Sequence, residues 1–134
     1  MSNYSTRIGR AGEYRVASEL LLRGYNPAIR AVDDGIDLVL ENGTTIQIKS
    51  VVSLNKSNSY TVGLAHSKWK KGKETKERQN LKADYLLVWV IPTNDFYIIP
   101  KERVGNKFCI TMTAQKGAIN YPFLNNWEIL EEEK

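Results

Sequence analysis

Four residues of this chain have side chains suited to one reaction: Glu13, Asp37, Gln47 and Lys49. Two carboxylates and an amide oxygen suit a hard divalent cation, Mg2+ or Mn2+, and an ammonium beside them suits the phosphate such an ion would hold. Such ions take oxygen ligands, few of them protein carboxylates, and keep several waters. The chemistry that fits is metal-assisted hydrolysis of a phosphodiester. The ion lowers the pKa of a water from about 15.7 towards neutrality and offsets charge on the phosphorus oxygens. Asp37 is the expected central ligand, with Glu13 a second ligand or an acceptor to a coordinated water. The backbone carbonyl of Ile48 completes the set. Lys49 orients the water or stabilises the charge built up on phosphorus, and Gln47 ligates weakly or positions a water.

A hairpin must carry three of these residues. Ile36 to Leu40 and Thr45 to Val51 are β-rich runs on either side of Asn42-Gly43, a strong hairpin signal. A two-residue loop would pair Leu38 with Gln47 and mix apolar with polar on each side. A three-residue loop, Glu41-Asn42-Gly43 with Gly43 left-handed, pairs Leu38 with Ile46 and Asp37 with Gln47. One residue of slip exchanges the faces of a strand. The second register is expected, since it gives one apolar face and one face with Asp37, Gln47 and Lys49 together.

Glu13 needs a helix. Thr6 to Arg23 has helical periodicity, with Ser5 or Thr6 as N-cap and Gly24 at the C-terminal stop. Gly9, Gly12, Val16, Ala17, Leu20 and Leu21 form one stripe, and Arg7, Arg10, Tyr14 and Ser18 lie opposite. Glu13 falls inside the apolar stripe, where a carboxylate is costly unless paired or bound to a metal. The two glycines weaken the helix and imply close approach to a sheet.

Beyond these elements, residues 25–32 suggest an edge strand, because Pro27 cannot donate to a central ladder. Asp33-Asp34-Gly35 is a turn, and residues 58–65 suggest a further strand. The near-continuous apolar run from Asp84 to Ile91 predicts a central strand covered on both faces. A strand at Phe96–Ile99 follows it, then a short helix from Lys101 to Val104. Trp127 to Leu130 is expected to dock as an end segment, whereas 105–127 gives no pattern. The whole, 1–134, is expected to be a single α/β domain, a mixed β-sheet flanked by helices on both faces.

Composition narrows the class. No apolar run is long enough to cross a membrane, and the lone Cys109 excludes a disulfide framework or multi-cysteine zinc site. Cys109 is expected to pack rather than react, and His66 to be an ordinary histidine. A cytoplasmic location is the default. The net charge is +4, yet residues 66–82 alone hold seven cationic residues against two glutamates. That stretch, expected to be helical in its second half, suggests a polyanion partner. Lys68, Lys70, Lys71 and Lys73 would meet phosphate, and Trp69 could stack on a base. Arg7 and Arg10, on the helix face away from the core, join them, because Arg suits phosphate.

Helix Glu13, strand Asp37 and Gln47-Ile48-Lys49 in this order resemble the PD-(D/E)xK nuclease superfamily. The segments Gly9-Arg10-Ala11-Gly12-Glu13, Gly35-Ile36-Asp37 and Ile48-Lys49-Ser50 are most similar to small archaeal Holliday-junction resolvases and their relatives. The likeness is strongest over 6–51, and Ala83-Asp84-Tyr85 and Phe96 to Pro100 look like the tail of the same core. Gly35-Ile36 replaces the proline of the motif name, a position that mainly shapes backbone. Gln47 replaces the usual acid and removes one negative ligand, although a Gln-x-Lys variant occurs in the superfamily, including an intron-encoded homing endonuclease. The resemblance implies a restriction-endonuclease-like core and a metal-dependent DNA endonuclease, selective for branched or junction DNA and acting as a homodimer, with RNA as an alternative substrate. It also counts Ser50 among the nucleic-acid contacts. The rival reading is a non-catalytic nucleic-acid-binding or protein-interaction module that keeps the fold.

Overall fold

A computed structural model describes residues 3–31, 34–55, 57–64, 66–70, 72–77, 81–105, 107 and 109–131, with 66–70 and 73–77 as backbone. Helix α1 runs Tyr4–Leu22. It starts two residues earlier than its periodicity suggested, because Asn3, not Ser5 or Thr6, is the N-cap: its Oδ1 accepts the Thr6 N–H at 2.8 Å. An Asx side chain at that position satisfies one of the helix's orphan donors. Arg23 caps the other end, and Gly24 follows at φ +99°. Gly12, Val16, Ala17 and Leu20 are buried as the stripe required, but Leu21 is 56% exposed and lies outside it.

Five strands form the main sheet in the order β1 (Ala28–Ile29), β2 (Leu38–Val39), β3 (Thr45–Val51), β7 (Tyr85–Val90), β8 (Asp95–Pro100). All neighbours are antiparallel except β3 and β7. The continuous apolar run of β7 therefore sits centrally, between β3 and β8, with Leu86, Leu87 and Val88 fully buried. Val32 and Asp33, part of the expected edge strand and turn, lie outside the described residues.

The register of β2 on β3 is the one that separates apolar from polar. Leu38 pairs with Ile46, Leu40 N–H donates to the Thr44 carbonyl at 2.8 Å, and Gly43 takes φ +90° between them. Asp84 pins the start of the parallel pair, since its carboxylate accepts the Thr45 N–H at 2.9 Å and its own N–H reaches the Thr45 carbonyl at 3.0 Å.

Helix α1 lies on the face of β3 that carries Ile48 and Ser50, the residues nearest Gly12. The turn Trp127–Glu131 docks on the same side, as expected of the end segment. Strand alternation puts Phe96 on that face, where Arg15 of α1 stacks on its ring at 5.0 Å and Trp127 lies 5.1 Å from it. Opposite lies Tyr97, whose phenol is pushed above its ordinary pKa by burial first, then by Asp95, Tyr121 and Tyr60. Tyr60 begins β4 (Tyr60–Gly63), which pairs with β9 (Cys109–Met112) in a second sheet, and Tyr121 begins the turn Tyr121–Phe123. The short helix α2 (Lys101–Val104) packs on β7 and β8. Helices thus flank the sheet, supplemented by a small sheet that the unpatterned stretch 105–127 helps to build. Cys109 is exposed there rather than packed.

The basic stretch departs most from expectation. Where it is described it is not helical: β5 (His66–Lys70) and β6 (Lys73–Glu77) form an antiparallel hairpin of their own, and residues 71 and 78–80 lie outside the described residues. Lysine and glutamate favour a helix by propensity. Gly72, at φ +77°, decides otherwise, for that conformation is what a tight hairpin turn needs.

Candidate metal centre and nucleic-acid interface

Asp37 sits where β2 has parted from its ladder. Its N–H donates to the Ile46 carbonyl at 2.8 Å, although Leu38 is the residue paired with Ile46. Two residues therefore face one, the arrangement of a β-bulge, which re-aims a side chain. The Asp37 carbonyl accepts the Arg30 N–H at 2.9 Å, and one carboxylate oxygen accepts the Ile48 N–H at 2.7 Å. So Asp37 does not continue the ladder opposite Gln47 on a shared face, as the extended register implied. Its carboxylate lies near the plane of the sheet, where a backbone carbonyl of β2 would otherwise be.

That placement opens the edge of β3. Among the described residues, β2 pairs with β3 only at Thr45 and Ile46, whereas β7 occupies the other side from Ile46 to Val51. Backbone groups of alternate strand residues point to alternate sides. The carbonyl of Ile48 therefore faces the same edge as its N–H, beside Asp37.

The other two strand residues, Gln47 and Lys49, are half-buried and alternate with Ile48, so they lie on the face opposite α1. Glu13 is half-buried on α1, next to Gly12, whose helix rests on Ile48 and Ser50. The four residues thus surround one stretch of strand: Glu13 on the helix side, Asp37 in the plane, Gln47 and Lys49 beyond. Asp37 and Ile48 are in direct contact, and both Glu13 and Asp37 are engaged in interactions within the fold.

Does this donor set suit a hard cation? One Asp37 oxygen accepts the Ile48 N–H, which holds the carboxylate at the edge beside the Ile48 carbonyl. Among the described residues, no cluster of three or more His, Cys, Asp or Glu could hold a metal. Two carboxylates, a carbonyl and an amide fit Mg2+, which usually keeps several waters.

The positions expected to meet nucleic acid divide. Arg7 and Arg10 are exposed on α1, and Arg10 donates to the Tyr14 hydroxyl at 3.1 Å. The Ser50 hydroxyl is buried against Gly12 with no hydrogen-bond partner. A hydroxyl so covered cannot touch phosphate in this arrangement, because α1 fills the space that a strand-end serine would otherwise open to solvent. Gly9, by contrast, has nothing within 4 Å of a built Cβ, so of the two glycines Gly12 alone marks the close approach. Lys71 lies outside the described residues, as do the side chains of Lys68, Trp69, Lys70 and Lys73.

Sequence reading missed the supports of Asp37. Arg30 pairs with Asp34 at 2.8 Å, and Asp34 also accepts the Ile36 N–H at 3.2 Å, tying down the approach to Asp37. Lys82 reaches Gly35, two residues before Asp37, and brings a cation to the site's rim. Its place at the end of the basic stretch was the one available signal.

Residues 4–123 match the family model described as PD-(D/E)XK endonuclease. The chain belongs to the PD-(D/E)XK endonuclease family. The core is accordingly restriction-endonuclease-like. A solved structure of a bacterial homing endonuclease, I-Ssp6803I, superposes with a TM-score of 0.81, covering 96% of this chain and 93% of that one at 16% identity. MepB is more distant, at a TM-score of 0.45 and 12% identity over 79% of this chain and 83% of its own. No curated protein matches the sequence. PD-(D/E)XK nucleases generally use divalent metals, in keeping with the donor chemistry at Asp37. Among the described residues, no helix is long and apolar enough to cross a membrane.

Proposed function

We propose that this protein is a divalent-metal-dependent endonuclease that hydrolyses DNA phosphodiester bonds at the open edge of β3. The observation that carries this reading is the Asp37–Ile48 contact, which holds a carboxylate beside a backbone carbonyl facing the same edge. Asp37 and the Ile48 carbonyl would hold Mg2+ or Mn2+, with Glu13 as a further ligand or water acceptor from the helix side. When bound, the ion supplies charge neutralisation at the phosphate and a more acidic water.

The chain's own groups do the rest. The Ile48 N–H and the Arg30–Asp34 pair fix Asp37 before substrate arrives, so little reorganisation remains to be done. Lys49 orients the attacking water or meets the charge that develops on phosphorus. Gln47, a neutral group where an acid would serve as ligand, positions water by its amide. Arg7 and Arg10 take the flanking phosphates, which makes affinity fall as salt rises. A homodimer in the cytoplasm would set one such site against each strand.

The experiment is nicking of supercoiled plasmid with Mg2+, beside metal titration by calorimetry. Branched, linear-duplex and single-stranded substrates run in parallel to show any junction preference. Asp37→Ala should abolish nicking and weaken metal binding, and Lys49→Ala should abolish nicking while metal still binds. If the intact protein binds DNA but neither metal nor Asp37 affects any strand, it is the non-catalytic module instead.

A further inference from the structure

On the footing that this chain is a nuclease, we propose that Lys82 is a second substrate-binding cation, whose ammonium takes the phosphate next to the one that is cut. Lys82 lies in the short segment that leads into β7, and both of its neighbours are buried: Leu81 is 6% exposed and Ala83 0%. Lys82 itself is exposed. One step further on, Asp84 is tied to Thr45 through its carboxylate and its N–H. The backbone that presents Lys82 is thus anchored before and after it. Only the side chain then remains to be ordered when a ligand arrives, which lowers the cost of binding.

The side chain is directed to the site. Its Cδ lies 3.7 Å from the place a Cβ of Gly35 would take. In the sheet, β3 lies between β7 and β2. A residue three steps before Tyr85 that reaches Gly35, on the approach to β2, has therefore crossed β3. The excursion from β3 to β7 lies on the side away from α1, where Tyr60 of β4 acts on Tyr97. Strand alternation sends Gln47 and Lys49 to that side too, so Lys49 and Lys82 are cations of one face. Gly35 is two residues before Asp37, at most about 7 Å of chain, and two bonds separate the Lys82 Cδ from its nitrogen.

Charge points the same way. Asp34, beside Gly35, is held by Arg30 at 2.8 Å and accepts the Ile36 N–H. Among the described residues, Lys82 has no ion-pair partner. A cation on anchored backbone at the rim of the site, with no acid of the fold to neutralise it, suits an anion that arrives with the substrate. A DNA strand offers one phosphate for about every 3.4 Å of helix axis. With one phosphate at Asp37 and Lys49, its neighbour lies one such step away. Contacts of this kind fix register and carry no sequence information; here the register decides which linkage faces the reacting groups.

The test is a cycle of protein and DNA changes. A duplex selected for binding by the intact protein is made with one neutral methylphosphonate at each linkage in turn. Affinity is measured with Ca2+ in place of Mg2+, and the cut linkage is mapped by nicking of the same duplex with Mg2+. Wild type should bind about 10-fold more weakly when the linkage next to the cut is neutral, and Lys82→Ala should be indifferent to that change. Lys82→Ala should also lower the salt slope by about 1 with its unfolding midpoint unchanged. Lys82→Arg should restore both the slope and the sensitivity. A Lys82→Ala variant as sensitive as wild type at both linkages flanking the cut overturns the proposal, and so does coupling confined to a distant linkage. The two ideas fail separately. Nicking without the Lys82 coupling refutes the second cation and leaves the nuclease standing. If nothing is nicked, Lys49→Ala marks the reference linkage instead: a Lys82 coupling beside it refutes the nuclease alone, and no such coupling refutes both.

Discussion

Two hairpins of this protein share a secondary structure and little else. The β2–β3 hairpin turns at Gly43, buries Leu38 and Ile46 completely, and holds Asp37 at its open end. The β5–β6 hairpin turns at Gly72 and alternates lysine, threonine, histidine and glutamate along its length. In the first, register is fixed by the core, because a slip of one residue would exchange buried isoleucine for glutamine and lysine. In the second, no apolar face penalises a slip, and the backbone pairing and turn must set the register.

The largest expected effect breaks the first hairpin's function without breaking its fold. Asp37→Asn keeps an oxygen to accept the Ile48 N–H and removes the charge. Plasmid nicking should fall by about 10³-fold, some 4 kcal/mol of barrier, while thermal unfolding moves little. Loss of stability comparable to loss of activity would instead make Asp37 a structural residue.

Next in size is the contact beneath the active edge. A Cβ at Gly12 would collide with the Ser50 hydroxyl, so Gly12→Ala should cost about 1–3 kcal/mol in denaturant unfolding. Ser50→Ala should be neutral or stabilising by about 1 kcal/mol, since it removes a buried hydroxyl without a partner. In that background the nearest atoms left, at 3.4 and 3.5 Å, are ordinary contacts. Gly12→Ala should then reverse sign and gain about 1 kcal/mol of helix propensity. Additive effects would mean that α1 does not rest on Ser50.

The turns sharpen the comparison directly. Alanine at positive φ costs about 1–2 kcal/mol. Gly43→Ala should lower the global unfolding midpoint accordingly, whereas Gly72→Ala should leave the midpoint nearly unchanged and weaken duplex binding. Equal thermal shifts would show that the ribbon is part of the cooperative core.

The smallest effect lies at high pH. Burial raises the Tyr97 phenol above the ordinary tyrosine value of 10.0, so the folded chain keeps that proton where the unfolded chain has begun to lose it. Stability from this group is present below pH 10 and is lost as pH rises through the folded value. Tyr97→Phe should flatten the alkaline limb of a stability–pH curve measured above pH 10.

Where burial dictates pattern, the sequence was readable. Val16, Ala17 and Leu20 announced the helix, Leu38 opposite Ile46 announced a register, and Tyr85 to Val90 announced the central strand. The lysine-rich ribbon gave no such sign, since both its sides are polar and its residues favour a helix when taken singly. Strand β9 was hidden for another reason: Met112 pairs with Tyr60, some fifty residues away, and no local window contains that information. For the proposed site, residue types and order suggested candidates but not their geometry. Residue types and order named Glu13, Asp37, Gln47 and Lys49, but strict alternation carried Asp37 onto the wrong side, because a bulge suspends alternation. Ser50 followed the same rule onto a helix that covers it.

The single parallel pair in the sheet, β3 with β7, obliges the chain to leave the sheet and come back, and it does so over residues 52–84. Such a return is commonly made by a helix; here it carries β4 and the lysine ribbon instead. The basic stretch is thereby housed in a detour, outside the five-stranded ladder. Target preference could be rewritten by exchanging one excursion for another, while the cutting edge is inherited untouched. A chimera with a foreign ribbon between Gly63 and Leu81 should nick with the old metal requirement and choose new sequences.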